Sequence, residues 1–264
     1  MLRKVARSLT PRRWHLHRLF EQYINDVPNM RVLSGPFEGM RYGRESHGST
    51  YLPKILGTYE KELAGEIESV VSDNPDSVII LGAAEGYYAV GFALRLSESK
   101  IIAFEASMDA RVWINELALI NGVHERVQIN GIVDFAGLRT ALDENTKRKF
   151  LLVDIEGSEA ILLDPQVLPK LRHARILVEL HEFHIQGVRN ILRDRFDTTH
   201  SIDEISARSR RNDDLPITLG GWRRRVFNGT ALQAMNERRP QGMSWLSLSP
   251  IEESVVGDRA NCRC

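Results

Sequence analysis

From residue 78 onward, short unbroken apolar runs alternate with segments whose apolar positions recur every three or four residues. VIILG (78–82) precedes YYAVGFALRL (87–96), KIIAFEA (100–106) precedes DARVWINELALING (109–122), and RVQING (126–131) precedes FAGLRTALDE (135–144). FLLVDIEG (150–157) and ARILVELHEF (174–183) continue the series, with a helix between them and HIQGVRNILRD (184–194) behind. Continuous Val/Ile/Leu runs suit strands covered on both faces, and the three-or-four spacing suits helices. The alternation predicts right-handed β-α-β crossovers in a parallel sheet flanked by helices. Near the end the pattern changes. THSIDEISA (199–207) and RRRVFNG (223–229) read as strands with no clear helix between them, so an antiparallel hairpin is expected to close the sheet edge.

Three parts follow from this pattern: an N-terminal helical and hairpin extension over 1–70, a core over 71–230, and a C-terminal helix and tail over 231–264. In the extension, MRVLSGPFEGMRY (30–42) alternates around Gly35-Pro36 as a hairpin would, and LGTYEKELAGEIESVV (56–71) has helical spacing. The first 24 residues read as a basic amphipathic helix interrupted at Pro11. Packing of Leu16, Leu19 and Phe20 on the body is its ordinary reading, and contact with a membrane surface or polyanion is the alternative. Lys+Arg and Asp+Glu both number 35 in 264 residues, so net charge argues neither for nor against a polyanionic partner; no nucleic acid is expected. Positive charge is instead local, at Arg208, Arg210 and Arg211 and again at Arg223, Arg224 and Arg225. No run approaches the roughly 18 apolar residues of a membrane span, and the N-terminus lacks a signal-peptide core. Two cysteines, Cys262 and Cys264, make no disulfide framework, so a cytoplasmic protein with reduced thiols is expected.

In a parallel sheet, ligands sit beyond the carboxyl ends of the strands, near the switch in strand order. The first strand ends in Gly82-Ala83-Ala84-Glu85-Gly86, where backbone can approach a ligand at the mouth of the following helix. The second ends in Glu105, placed to accept hydrogen bonds from a ribose diol. Strand four ends in Asp154-Ile155-Glu156-Gly157-Ser158-Glu159, and strand five in Glu179-Leu180-His181-Glu182. Desolvated carboxylates are costly, so this many acids at strand ends argues for function, although any one of them can cap a helix. A dinucleotide fingerprint would need glycine at 82, 84 and 87, and positions 84 and 87 hold alanine and tyrosine. No G-K-[ST] follows, which excludes a P-loop. A G-x-x-x-G loop paired with a ribose-binding acid suits a nucleoside without pyrophosphate, such as S-adenosylmethionine.

VIILGAAEGYYAVGFA, IIAFEA, NELALING, LLVDIEGSEAILL and ILVELHEF together resemble the FkbM family of class I S-adenosylmethionine-dependent methyltransferases over roughly residues 76–185. The Asp-Ile-Glu-Gly-Ser-Glu segment (154–159) is the most specific part, and LPKILGTYEKEL (52–63) resembles the lead-in of bacterial relatives. The resemblance implies a Rossmann-like, doubly wound, mostly parallel seven-stranded sheet whose last strand is antiparallel. It also implies methyl transfer from S-adenosylmethionine, most often to an oxygen of a sugar, glycolipid or natural product.

The strand-end loop and the resemblance together give an expected cofactor site of Gly82, Ala83, Glu85, Gly86, Glu105, Asp134 and Asp154. Asp134 stands where a polar residue commonly meets the adenine amine. Catalysis falls to His181, Asp154 and Glu156, with His181 first as general base because its pKa matches neutral pH. Asn115 and Asn121 match family asparagines, but also read simply as helix-surface and helix-end residues. Asp154, Glu156 and His181 carry the N/O donors of a Mg²⁺ or Mn²⁺ site; sequence gives no geometry for one, and no metal is expected. One position departs from the family. The usual acid two residues before the first glycine is Ile80 here, and Glu85 is the residue available to take its place. The competing classes are a catalytically degenerate methyltransferase fold that only binds, and a nucleic-acid methyltransferase, which the neutral charge and lack of an N-P-P-Y-like motif disfavour. The expected acceptor is a small molecule or glycan, and the arginines at 208–211 and 223–225 suit an anionic one.

Overall fold

The structure is a computed structural model and describes residues 30–43, 46–47, 49–216, 229–240 and 242–251. The basic first helix, the Arg223–Arg225 run and both cysteines lie outside the described residues. A seven-stranded sheet forms the centre, in the order β3-β2-β1-β4-β5-β7-β6. Its strands are β1 (Ser77–Leu81), β2 (Lys100–Phe104), β3 (Val127–Asn130), β4 (Lys149–Val153), β5 (Ala174–Glu179), β6 (His200–Ser206) and β7 (Ser244–Pro250). β1 to β5 are parallel, and β7 runs antiparallel between β5 and β6.

Among the described residues, the α-helices around the sheet are α1 (Tyr51–Leu56), α2 (Ala64–Asp73), α3 (Tyr87–Arg95), α4 (Met108–Ile120), α5 (Phe135–Asp143), α6 (Glu159–Leu162) and α7 (Val188–Phe196), with a further helical stretch at 229–234. β1 explains the layering. All five of its residues are buried, and successive side chains point to opposite faces. Val78 and Ile80 join the layer containing Phe92, Ile114 and Ile67, while Ile79 and Leu81 join the layer containing Leu138, Leu162 and Leu192. The first layer holds α2, α3 and α4, and the second holds α5, α6 and α7.

The extension packs on the first layer. Val32 N donates to Met40 O at 2.9 Å and Tyr42 N to Met30 O at 2.7 Å, forming a tight hairpin that buries Val32, Phe37, Met40 and Tyr42. Phe37 meets Tyr87, Tyr88 and Phe92 edge-on. The region read as one helix from residue 56 splits instead at Gly57 (φ 71°), with Lys61–Leu63 as a single 3₁₀ turn before α2.

The C-terminal hairpin forms, but with a different second strand from the one expected. THSIDEISA is β6; its partner is SWLSLSP (244–250), and RRRVFN falls outside the described residues. The sheet therefore draws a central strand from beyond residue 230, and the core does not end there. Residues 229–234 are helical. No helix among the described residues is long and apolar enough to cross a membrane.

Candidate active site

Strand order reverses between β1 and β4, so their carboxyl ends diverge into a crevice. Gly82 turns the chain there with φ 82°, and a Cβ at this position would lie 1.7 Å from the Asp154 carbonyl oxygen. Only glycine lets the two strand ends approach this closely. Gly82 N and Ala83 N both donate to Phe104 O at 3.0 Å, fixing the loop to β2. Gly86 (φ 97°) then opens α3, whose first two residues, Tyr87 and Tyr88, stand at the same crevice. Glu105, just past β2, reaches back to this loop. Its Oε2 accepts from Ala84 N at 2.8 Å and its Oε1 from Ser107 N at 2.8 Å. Each oxygen keeps a lone pair for a further donor.

The ends of β4 and β5 bring three more predicted residues together. His181 Nε2 lies 3.6 Å from Asp154 Oδ1 and 3.5 Å from Glu156 Oε2. The imidazole is 2% exposed, and its Nδ1 is held at 2.6 Å by Glu159, which is fully buried. Glu156 reaches its place through a left-handed turn (φ 51°), followed by Gly157 (φ 103°), whose Cβ would stand 2.7 Å from the His184 Cβ. Burial pushes the Asp154 carboxyl up to about 6; Glu60 and Glu156 add to this, and His181 and Arg239 oppose it. Burial lowers His181, but the Glu159 hydrogen bond and the surrounding carboxylates outweigh it and hold the imidazole above its ordinary value.

These ends open into a cavity of about 440 Å³ that Gly82, Ala84, Glu105, Asp154, Glu156 and His181 all line. Arg239 enters from the far wall. Its Nη1 meets Glu179 Oε1 at 2.5 Å, its Nε meets Glu237 Oε2 at 2.9 Å, and its Nη2 meets Tyr59 OH at 3.2 Å and also Glu60. The guanidinium also lies 5.4 Å from the Tyr59 ring centre and 5.0 Å from that of Trp245. Three carboxylates share this one cation. Burial drives Glu179 well above the usual carboxylate range, with Asp154 and Glu60 reinforcing the shift against Arg239.

Other predicted residues lie elsewhere. The Glu85 carboxylate turns away from this cavity. It pairs with buried Lys54, accepts from Tyr42 OH, and accepts from His47 N at 3.1 Å and Ser46 Oγ at 3.2 Å. Burial alone would raise Glu85, but Lys54 and Tyr42 hold it below the usual carboxylate range. Asp134 is an exposed N-cap of α5, accepting from Gly137 N at 2.7 Å, and does not line the cavity. Asn121 ends α4 and binds the Arg41 backbone, while Glu182 caps α7. Two of the arginines read as acceptor contacts are committed internally. Arg208 makes a two-pronged pair with Asp214 at 2.8 Å, and Arg210 is buried between Glu62 and Glu237. Sequence reading missed Tyr59, Glu237 and Arg239 as cavity groups, Glu60 as a buried partner of Arg239, and Glu159 as the partner of His181. Glu159 sits in the same strand-end segment as Asp154, and that was its only signal.

No protein-family model and no curated protein sequence matches the chain. Many solved structures do resemble it in fold. One is an O-methyltransferase of Bacillus cereus in complex with S-adenosylhomocysteine, at 14% identity and a TM-score of 0.43, over 78% of this chain and 89% of that one. Another is the tomaymycin-pathway O-methyltransferase TomG of Streptomyces achromogenes in complex with S-adenosylmethionine, at 13% identity and TM-score 0.43, over 53% and 70%. A third is a candidate rRNA methylase of Clostridium thermocellum, at 11% identity and TM-score 0.48, over 73% and 97%.

Proposed function

We propose that this protein is an S-adenosylmethionine-dependent methyltransferase of the FkbM type that methylates a hydroxyl of a sugar, glycolipid or small natural product. One observation carries the reading. The Gly82–Gly86 loop and the Glu105 carboxylate meet at the strand-order switch, joined by the 2.8 Å bond from Ala84 N, beside a cavity in the size range of small-molecule sites. The residues fit the cofactor. Glu105 retains a lone pair on each oxygen for a ribose diol, and the glycine loop removes side chains from the crevice where the methionine end would lie. The carboxylates around the cavity favour a sulfonium cation. The cofactor, when bound, supplies a methyl group already activated for displacement.

The chain's own part is then alignment and proton handling. Gly82, Ala83, Gly86 and Glu105 hold the nucleoside side of the site. Asp154, Glu156 and His181 line the same cavity and receive the acceptor hydroxyl, with Glu159 fixing the imidazole from behind. Titration calorimetry of the full chain with S-adenosylmethionine, S-adenosylhomocysteine and NAD⁺ tests the reading. Saturable binding of the first two and none of the third is expected. Absence of any S-adenosylmethionine heat at millimolar concentration would leave the fold without this function.

A further inference from the structure

We propose that Asp154, Glu156 and His181 form a binding site for a divalent cation of the Mg²⁺/Mn²⁺ class. Their donor atoms all lie within 4.8 Å of one another, with His181 Nε2 3.6 Å from Asp154 Oδ1 and 3.5 Å from Glu156 Oε2. Donors held about 2.0–2.2 Å from a small cation stand about 3 Å apart when they sit at right angles around it. The Asp154–His181 and Glu156–His181 gaps are thus a few tenths of an ångström wider than a filled site, and the Glu156 side chain, 73% exposed, is free to swing inward.

The histidine gives an independent reason. Its side chain is 98% buried by accessible area, yet Nε2 makes no hydrogen bond among the described residues and points at the two carboxylates. The ring is held from the other side by the fully buried Glu159 at Nδ1. That is the arrangement by which a carboxylate fixes the tautomer of a metal-binding imidazole, leaving the Nε2 lone pair free to coordinate. Arg239 makes its ion pairs with Glu60, Glu179 and Glu237 rather than with the cluster. Two carboxylate oxygens and one imidazole suit a hard or borderline cation rather than a thiophilic one. Asp154 and Glu156 face the cavity, so the remaining coordination positions open toward the acceptor.

The cation site stands on these three side chains alone; its use in catalysis rests on the methyltransferase reading. With a cation in place, His181 Nε2 is a ligand and not a proton acceptor, so the inference replaces the general-base role for that atom. The test is titration of the full chain with Mn²⁺ alone, without cofactor, followed by the loss of the free-ion signal in electron paramagnetic resonance. One Mn²⁺ per chain is expected, displaced by Mg²⁺. Glu156→Gln, at a side chain 73% exposed, should weaken binding at least ~10-fold, and Glu159→Gln, which touches no cation, by ~10–100-fold as an outer partner. Asp143→Asn, an exposed acid paired with Lys170, should leave binding unchanged. Retention of the full free-ion signal at millimolar Mn²⁺, or binding that Glu156→Gln leaves intact, overturns the inference. Neither result bears on calorimetric binding of S-adenosylmethionine, so the two readings fail separately.

Discussion

Glu105→Ala gives the sharpest test of the cofactor site. The carboxylate bridges two backbone donors, Ala84 N on the glycine loop and Ser107 N at the start of α4, each at 2.8 Å. Each oxygen therefore has one protein partner and room for one ribose hydroxyl. Hydrogen bonds to a charged acceptor are worth about 1.5–3 kcal/mol, and we assign that total to the diol contact. The dissociation constant for S-adenosylmethionine should then rise about 10- to 150-fold. S-adenosylhomocysteine, which shares the ribose, should weaken by the same factor. Glu105→Gln keeps one acceptor oxygen and should fall between. The substitution also frees two half-buried backbone donors, at about 1 kcal/mol each in stability, so circular dichroism and urea unfolding must accompany the calorimetry. Equal affinity of wild type and Glu105→Ala, with the fold intact, would refute the placement of the ribose at Glu105.

Glu85→Ala should destabilise the chain by about 3–5 kcal/mol in urea unfolding, because it leaves Lys54, 2% exposed, as an unpaired buried charge. Arg210→Glu should lower the melting temperature steeply at every salt concentration, since it sets a third carboxylate between Glu62 and Glu237. A fold-intact variant whose only change is a salt-dependent acceptor Michaelis constant would restore the anion-contact reading. Asp214 is held at about 2, chiefly by its hydrogen bonds from Arg208. A depressed acid stabilises the fold above its unfolded pKa and loses this as pH falls, so Asp214→Asn should cost up to about 2 kcal/mol at pH 7. That difference from wild type should vanish between about pH 5 and pH 2. A gap constant across that window would show that the pair does not titrate with folding.

The parallel half of the sheet was legible because each strand is one continuous apolar run. KIIAFEA, for example, became Lys100–Phe104 with its acid just outside the strand. β7 was not, although it lies between two other strands. SWLSLSP sends Leu246 and Leu248 to one layer and Trp245 to the other, and its serines are occupied: Ser247 Oγ donates to Glu66 at 2.7 Å and Ser244 Oγ to Glu204 at 3.0 Å. Internally satisfied hydroxyls made a central strand look like an exposed one. That Glu105, Asp154, Glu156 and His181 line one cavity was legible because strand ends must lie at the sheet edge. Arg239, Glu60 and Glu237 were not, because they meet across most of the chain. Asp134, expected at the adenine, caps α5 away from the cavity lining, because an acid between a strand and a helix suits an N-cap and a ligand equally well.

Glu85 ties the loop to the extension and does not reach the cavity where the family resemblance would use the acid it places at position 80. Ile80 is fully buried in the layer that contains Ala83, Tyr87 and Phe92, in register with Ala103 and Leu152. A carboxylate there would have to be desolvated among apolar neighbours, at several kcal/mol without a partner. The acid stands five positions later instead, and its partners Tyr42, Ser46, His47 and Lys54 all belong to the N-terminal extension. The loop is therefore tied outward to residues 42–54 rather than inward to β1. The same segment sends His47, Ser49, Thr50 and Lys54 to the cavity wall. Glu85 thus joins the loop and one wall of the cavity through a single set of buried contacts.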